Sequence, residues 1–234
     1  MLKNNFFSIG IILCLIGLDI NAQDLRYIKQ ATFKFSMKNV ETIGSDNDYI
    51  YIITEDSLFV ITKDGDIKES KPIVKKYPVF ENSHSFYLEK NIIKDATGKI
   101  IIDLSNKLQK ENMTAKYLAK SKDTFYTCIL DSRNKSYSNN ISKVSVGGEF
   151  SMLCYIVGEP AGIYCDEKVL WYLYNKSIAN QKGMLRSYNI KTGDLISEDE
   201  IPVINPVGLI VTDTLIFTYS NFSGELIELT KGGK

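Results

Sequence analysis

A short polar lead followed by an apolar, aromatic run recurs five times along the chain: Asp48-Tyr49-Ile50-Tyr51-Ile52, Ser85-Phe86-Tyr87-Leu88, Asp123-Thr124-Phe125-Tyr126, Lys168-Val169-Leu170-Trp171-Tyr172 and Asp213-Thr214-Leu215-Ile216-Phe217. The starts at Tyr49, Ser85, Thr124, Val169 and Thr214 are 36, 39, 45 and 45 residues apart. A period of this size marks a repeat architecture in which each unit buries its faces only against its neighbours, and short strands at this spacing predict a β-propeller.

A second marker keeps the same beat. Each unit carries a glycine turn between two strand-like runs, at Lys63-Asp64-Gly65-Asp66, Ala96-Thr97-Gly98-Lys99, Val146-Gly147-Gly148-Glu149, Lys191-Thr192-Gly193-Asp194 and Phe222-Ser223-Gly224-Glu225. Glycine supplies the positive φ of tight hairpins, so these read as hairpin tips. Unit one then divides into strands Val40 to Gly44, Tyr49 to Thr54, Leu58 to Thr62 and Asp66 to Ser70; unit four into Gly162 to Cys165, Val169 to Tyr174, Met184 to Ile190 and Asp194 to Glu198. Leu104 to Leu118, with Leu108 and Met113 between, is the one stretch compatible with a short helix inserted in the second or third unit, and the sequence leaves it unresolved.

The fifth unit has only three strands, Leu209 to Thr212, Leu215 to Ser220 and Glu225 to Thr230, while Ala31 to Met37 is a strand-like run without a blade. Joining the two ends predicts an all-β, five-bladed propeller whose last blade is closed by the N-terminal strand, which also removes an exposed sheet edge.

The segments Lys94-Asp95-Ala96-Thr97-Gly98-Lys99 and Tyr188-Asn189-Ile190-Lys191-Thr192-Gly193-Asp194 resemble the Asp-Ala-x-Thr-Gly-Lys hairpin of quinoprotein-like propeller repeats. The resemblance implies a small bacterial exported propeller. It does not extend to the cofactor: the family's tryptophan after that hairpin is missing, with Ile101 and Ile196 in its region and Trp171, the only tryptophan, in another strand. No cofactor is expected.

The N-terminus has the three parts of an export signal: Lys3, an apolar run from Phe6 to Leu18, and Ala22 before a polar continuation. Residues 1–22 are read as a signal peptide cleaved after Ala22, and 23–234 as the propeller domain, placed in the periplasm or outside the cell. Asp19 stops the apolar run short of a spanning helix, which needs roughly 20 residues. Basic and acidic residues number 28 each, so net charge offers nothing to attract nucleic acid, and no integral membrane segment remains after cleavage.

Cleavage removes Cys14 and leaves Cys128, Cys154 and Cys165. Cys154 and Cys165 stand symmetrically about Glu159-Pro160, so a hairpin there would bring them opposite each other as a disulfide; all three as small buried hydrophobes is the equal alternative. With no CxxC and one histidine, His84, no metal site is expected.

Propellers act through the channel mouth or the loops of one face. A carbohydrate-active hydrolase would draw on Glu41, Asp46, Glu81, Asp166 and Glu167 near the inner strands, although turns select such carboxylates anyway. There is no GxSxG, GxxxxGK or GxGxxG. Lysines 71, 75 and 76 suit an acidic partner or simply a solvated loop. The candidate binding residues are Tyr77, Arg133, Tyr137, Tyr174 and Lys176, on or beside connections of one face, because tyrosine and arginine dominate binding hot spots. The expected function is a non-catalytic binding or scaffold protein with a protein or glycan partner; the alternative is the hydrolase.

Overall fold

The computed structural model describes residues 27–231, except 36, 47, 63, 73–77, 82–83, 96, 134–138 and 178–180, and except the side chains of 78–81, 84, 85 and 231. The expected signal peptide, Tyr77 and Tyr137 lie outside the described residues.

Twenty strands form five four-stranded antiparallel sheets. The N-terminal strand is β1 (Tyr27–Lys34). Blade 1 follows as β2 (Val40–Ser45), β3 (Tyr49–Thr54), β4 (Ser57–Thr62) and β5 (Ile67–Pro72), blade 2 as β6 (Pro78–Glu81), β7 (His84–Glu89), β8 (Ile92–Asp95) and β9 (Ile100–Asp103). After helix α1 (Ser105–Lys110), blade 3 comprises β10 (Met113–Ser121), β11 (Thr124–Asp131), β12 (Asn140–Ser145) and β13 (Phe150–Tyr155). Blade 4 comprises β14 (Glu159–Cys165), β15 (Val169–Asn175), β16 (Lys182–Asn189) and β17 (Leu195–Ile204), and blade 5 comprises β18 (Pro206–Val211), β19 (Leu215–Ser220) and β20 (Glu225–Lys231).

The first strands of the blades, β2, β6, β10, β14 and β18, pack side by side in a closed ring. Blade 5 is completed by β1, which pairs antiparallel with β20 from Tyr27 opposite Lys231 to Lys34 opposite Glu225. The closure expected from the two chain ends is therefore present. Its closing strand starts four residues earlier than the sequence suggested, because Tyr27 enters the core between blades 4 and 5 beside Ile201 and Val203.

Each sheet is covered on both faces by its neighbours, which explains the near-continuous apolar runs of the second strands. In β15 every residue after Val169 is buried. The outermost strands are the reverse: β5, Ile-Lys-Glu-Ser-Lys-Pro, is exposed at every position, and its charges protect a free sheet edge. Apolar side chains fill the spaces between blades, such as Leu108, Phe125 and Ile129 between blades 2 and 3, and Ile52, Ile61 and Tyr219 between blades 5 and 1.

Glycine is required where blades crowd the axis. Gly208 in β18 has φ +70°, and a Cβ there would lie 2.3 Å from the backbone nitrogen of Ile43 in β2. At the hairpin tip of blade 4, a Cβ on Gly193 (φ +80°) would meet the carbonyl oxygen of Leu153 in blade 3 at 2.2 Å.

The unresolved stretch from Leu104 to Leu118 holds one turn and a half of helix between blades 2 and 3, which plugs Leu108 into the core, and then the first strand of blade 3. The cysteine pairing needs correction. Glu159-Pro160 opens β14 rather than forming a hairpin, so Cys154 and Cys165 belong to different sheets, opposite Ile141 and Leu170 respectively. All three cysteines are free thiols in one apolar cluster between blades 3 and 4.

Candidate functional site

Since each blade is an antiparallel meander and every blade starts at the ring, the molecule has two unlike rims. The hairpin rim carries the first-to-second and third-to-fourth strand turns. The connection rim carries the second-to-third strand loops and the links between blades.

Carboxylates at the hairpin rim are turn-formers. The Oδ1 of Asp46 accepts the amides of Asp48 (2.9 Å) and Tyr49 (2.8 Å), and that of Asp166 accepts those of Lys168 (2.6 Å) and Val169 (2.7 Å). Thr212 does the same work in blade 5 through its hydroxyl, 3.0 Å from the amide of Leu215. Burial pushes the Asp46 carboxyl up, but bonds from the Tyr51 hydroxyl and the two amides prevail and hold it below its ordinary value. A carboxylate so held is a poor proton donor at neutral pH. Glu167 pairs with Lys122 at 3.1 Å on the surface, and Glu41 occupies the β-bulge between Val40 and Thr42. The side chain of Glu81 lies outside the described residues.

The three described binding candidates, Arg133, Tyr174 and Lys176, lie on or beside the connection rim in unequal roles. Arg133 grips the fully buried carboxylate of Asp131 in bidentate fashion, Nε to Oδ1 at 3.0 Å and Nη2 to Oδ2 at 2.9 Å. Its charge is therefore committed to anchoring the loop after β11. Tyr174, expected at the surface, is only 3% exposed: its ring stacks on Tyr172 with centroids 5.2 Å apart, and its hydroxyl donates to Glu198. It belongs to the core because β15 continues through it, with Gly158 of the link entering blade 4 packed on its ring. Lys176 is exposed on the loop beyond.

Beneath this rim Arg186 and Glu198, cross-strand partners in β16 and β17, form an ion pair at 3.0 Å. Burial works against the carboxylate of Glu198, yet the Tyr174 hydroxyl and Arg186 overcome it and keep its pKa below the ordinary value.

Sequence patterns did not single out the rim's solvent-exposed apolar residues. Tyr155 (62% exposed), Val157 (45%), Ile204 (47%) and Phe222 (71%) all lie at strand ends or in connections there. Tyr155 and Val157 were hidden inside a run, Leu153 to Val157, that reads as buried strand. Phe222 was legible in principle, since an aromatic residue at a glycine turn has no core to enter.

At the junction of blades 5 and 1 the same rim holds an open depression of about 450 Å³ lined by Lys38, Asn39, Thr54, Glu55 and Asp56. Its wall is fixed by Asn221, whose side chain accepts from the amide of Val40 (3.1 Å) and donates to its carbonyl (2.9 Å).

No family model matches the chain, and no curated protein does. Solved structures do. A calcium-binding protein, regucalcin, from Agrobacterium tumefaciens is 11% identical, with TM-score 0.54 over 88% of this chain and 96% of that one. A protein of unknown function from Bacteroides caccae is 8% identical, with TM-score 0.53 over 82% and 78%. The WD40 β-propeller domain of Doa1 is 11% identical, with TM-score 0.50 over 88% and 97%. The propeller resemblance drawn from the glycine hairpins thus holds at the level of the fold. Among the described residues, no helix is long and apolar enough to cross a membrane.

Proposed function

We propose that this is an exported, non-catalytic binding or scaffold protein that captures a protein partner on its connection rim, in the periplasm or outside the cell. Export is supported by Lys3, the apolar run Phe6 to Leu18 and the small residue Ala22. One observation carries the binding reading: Tyr155, Val157, Ile204 and Phe222 are large apolar side chains left in solvent on a single rim of a rigid scaffold. Lys176 adds a charge at its edge, and two of the carboxylates offered for hydrolysis, Asp46 and Asp166, are engaged in turns.

Photo-crosslinking in the native compartment tests the reading. A crosslinker at position 157 should trap a discrete partner, one at Ile67 on the outer edge of blade 1 should not, and Tyr155→Ser should abolish the product without lowering the melting temperature. Equal crosslinking at both positions would refute rim-specific capture.

A further inference from the structure

Of the five outer strands, β13 is the one with neither a charged residue nor a proline along its edge. The others carry Lys29 and Lys34 (β1), Lys68, Glu69 and Pro72 (β5), Asp103 (β9), and Glu198, Asp199 and Pro202 (β17), residue types that discourage a further strand from pairing. β13, Phe-Ser-Met-Leu-Cys-Tyr, stands last in its sheet. The amide of Ile156 donates to the carbonyl of Asn139 at 3.1 Å, and that of Ser145 to the carbonyl of Glu149 at 2.9 Å. Followed inward from these two ends of the antiparallel ladder, Ser151 and Cys154 bond to β12, so Phe150, Met152 and Tyr155 turn their amides and carbonyls outward.

Apolar side chains flank this edge on both faces. Phe150, Met152 and Tyr155 stand opposite Val144, Ser142 and Asn140, and Val144 packs towards blade 2, so all three share that face; the bulge at Leu153 resets the alternation between Met152 and Tyr155. Lys107 covers the ring of Phe150 at 3.9 Å, whereas Met152 (51% exposed) and Tyr155 stay in solvent. On the other face, Leu195 of blade 4 stands opposite Tyr188, which packs between blades 3 and 4, so Leu195 points towards blade 3. It is 51% exposed, two residues beyond the Gly193 that meets the Leu153 carbonyl. We propose that β13 is a strand-addition site, at which an extended, uncharged, apolar segment of the protein partner pairs as a fifth strand of blade 3. Its main chain satisfies the outward amides and carbonyls, and its side chains cover Met152 and Tyr155 on one face and Leu195 on the other. A second copy of this chain fits worse. Antiparallel pairing of two β13 edges keeps the same face up in both, which sets the acidic run Glu198-Asp199-Glu200 of one β17 beside the same run of the other.

Tyr155 joins this edge to the connection rim, so the inference rests on the rim reading for the partner's being a protein, yet the two fail separately. The test follows, by fluorescence anisotropy, a labelled peptide that alternates valine and threonine and is solubilised by a terminal pair of lysines, beside the same peptide with a central proline. The purified chain lacking residues 1–22 should bind the first with a millimolar or tighter dissociation constant and the second not at all. Met152→Pro removes an outward amide and no bond to β12, and Met152→Lys puts a charge on the edge; each should weaken binding about tenfold or more, a loss of about 1.4 kcal/mol. Thermal melts establish that the variants are folded, and if Met152→Pro is not, Met152→Lys decides. Ile67→Lys, on the outer strand of blade 1, should change nothing. In the native compartment Met152→Pro should also remove the product trapped by the crosslinker at position 157. A product that persists overturns strand addition and leaves the rim reading standing, whereas peptide binding without any product at 157 counts against the rim reading alone. Failure of the valine-threonine peptide to bind overturns the inference, as do equal binding of the proline peptide, unchanged affinity in both Met152 variants, or a dimer of the chain that Met152→Lys dissolves.

Discussion

Buried hydroxyls and thiols settle much of the chemistry of this ring. Thr127 in β11 donates to the carbonyl of Tyr117 at 2.7 Å, and Thr218 in β19 donates to that of Gly208 at 2.8 Å. Both acceptors sit in β-bulges of the neighbouring inner strand with left-handed φ, so one device repeats in two blades. Burial holds two of the thiols protonated, pushing Cys154 up to about 12 and Cys128 higher still, and Cys165 is itself buried. Only the thiolate reacts readily. A chain lacking residues 1–22 should therefore label negligibly with iodoacetamide at neutral pH while folded and take up three equivalents once denatured; fewer than three would restore a disulfide. Glu198 gives a pH-dependent counterpart. Its folded pKa is depressed, so its contribution is fully present above the unfolded value of about 4.3 and disappears as pH falls through the folded one. With a third of its side chain in solvent, Glu198→Gln should cost only about 1 kcal/mol at pH 7. The difference in melting temperature from the parent should shrink towards zero as pH is lowered to 3.

Elements close the ring by two chemically different routes. Pro78, Pro160 and Pro206 stand at or next to the first position of three inner strands and have no amide hydrogen to satisfy. The other two inner strands have their leading amides accepted by an asparagine of the preceding blade, Ala115 by Asn91 at 2.7 Å and Val40 by Asn221 at 3.1 Å. Asn221→Ala removes the partner of both the amide and the carbonyl of Val40 at the seam between the chain ends, and should cost about 2–4 kcal/mol. Deleting residues 23–34 removes the whole closing strand and should be worse, exposing β20 as an apolar edge and yielding aggregation or a melt at least 10 °C lower, roughly the scale of a 3 kcal/mol loss in a chain this size. A truncation that melts like the parent would show that β1 is dispensable. The strands of blades 1 and 4 were legible because strands covered on both sides give long apolar runs, interrupted by glycine tips. What misled was the blade-to-blade link Ile156 to Gly158: a three-residue connection beside Glu159-Pro160 looks like a hairpin in sequence, yet here it passes from an outer strand to the next inner one. Tyr174 was misplaced for a related reason, since nothing in one sequence says where an aromatic strand ends and its loop begins.

For the whole molecule, balanced charge conceals an uneven distribution. Among the described residues, the turns of the hairpin rim carry ten exposed carboxylates, including Asp64, Glu149 and Asp213, against four lysines. Connections on the opposite rim carry six cations, including Lys90 and Lys176, against three carboxylates. Over distances beyond the Debye length of about 10 Å at 0.1 M salt, an approaching surface feels one rim and not the sum. An anion-exchange matrix should accordingly hold the folded protein by its hairpin rim at low salt. Two triple variants with the same change in net charge separate this from a net-charge effect. Asp64→Lys, Glu149→Lys and Asp213→Lys together should release the protein at markedly lower salt, whereas Glu55→Lys, Glu111→Lys and Glu159→Lys together should move the elution far less. Identical elution of the two would mean that the rims do not act separately. If they do, the hairpin rim repels acidic surfaces and leaves the connection rim, with its exposed apolar side chains, as the face that such a partner can approach.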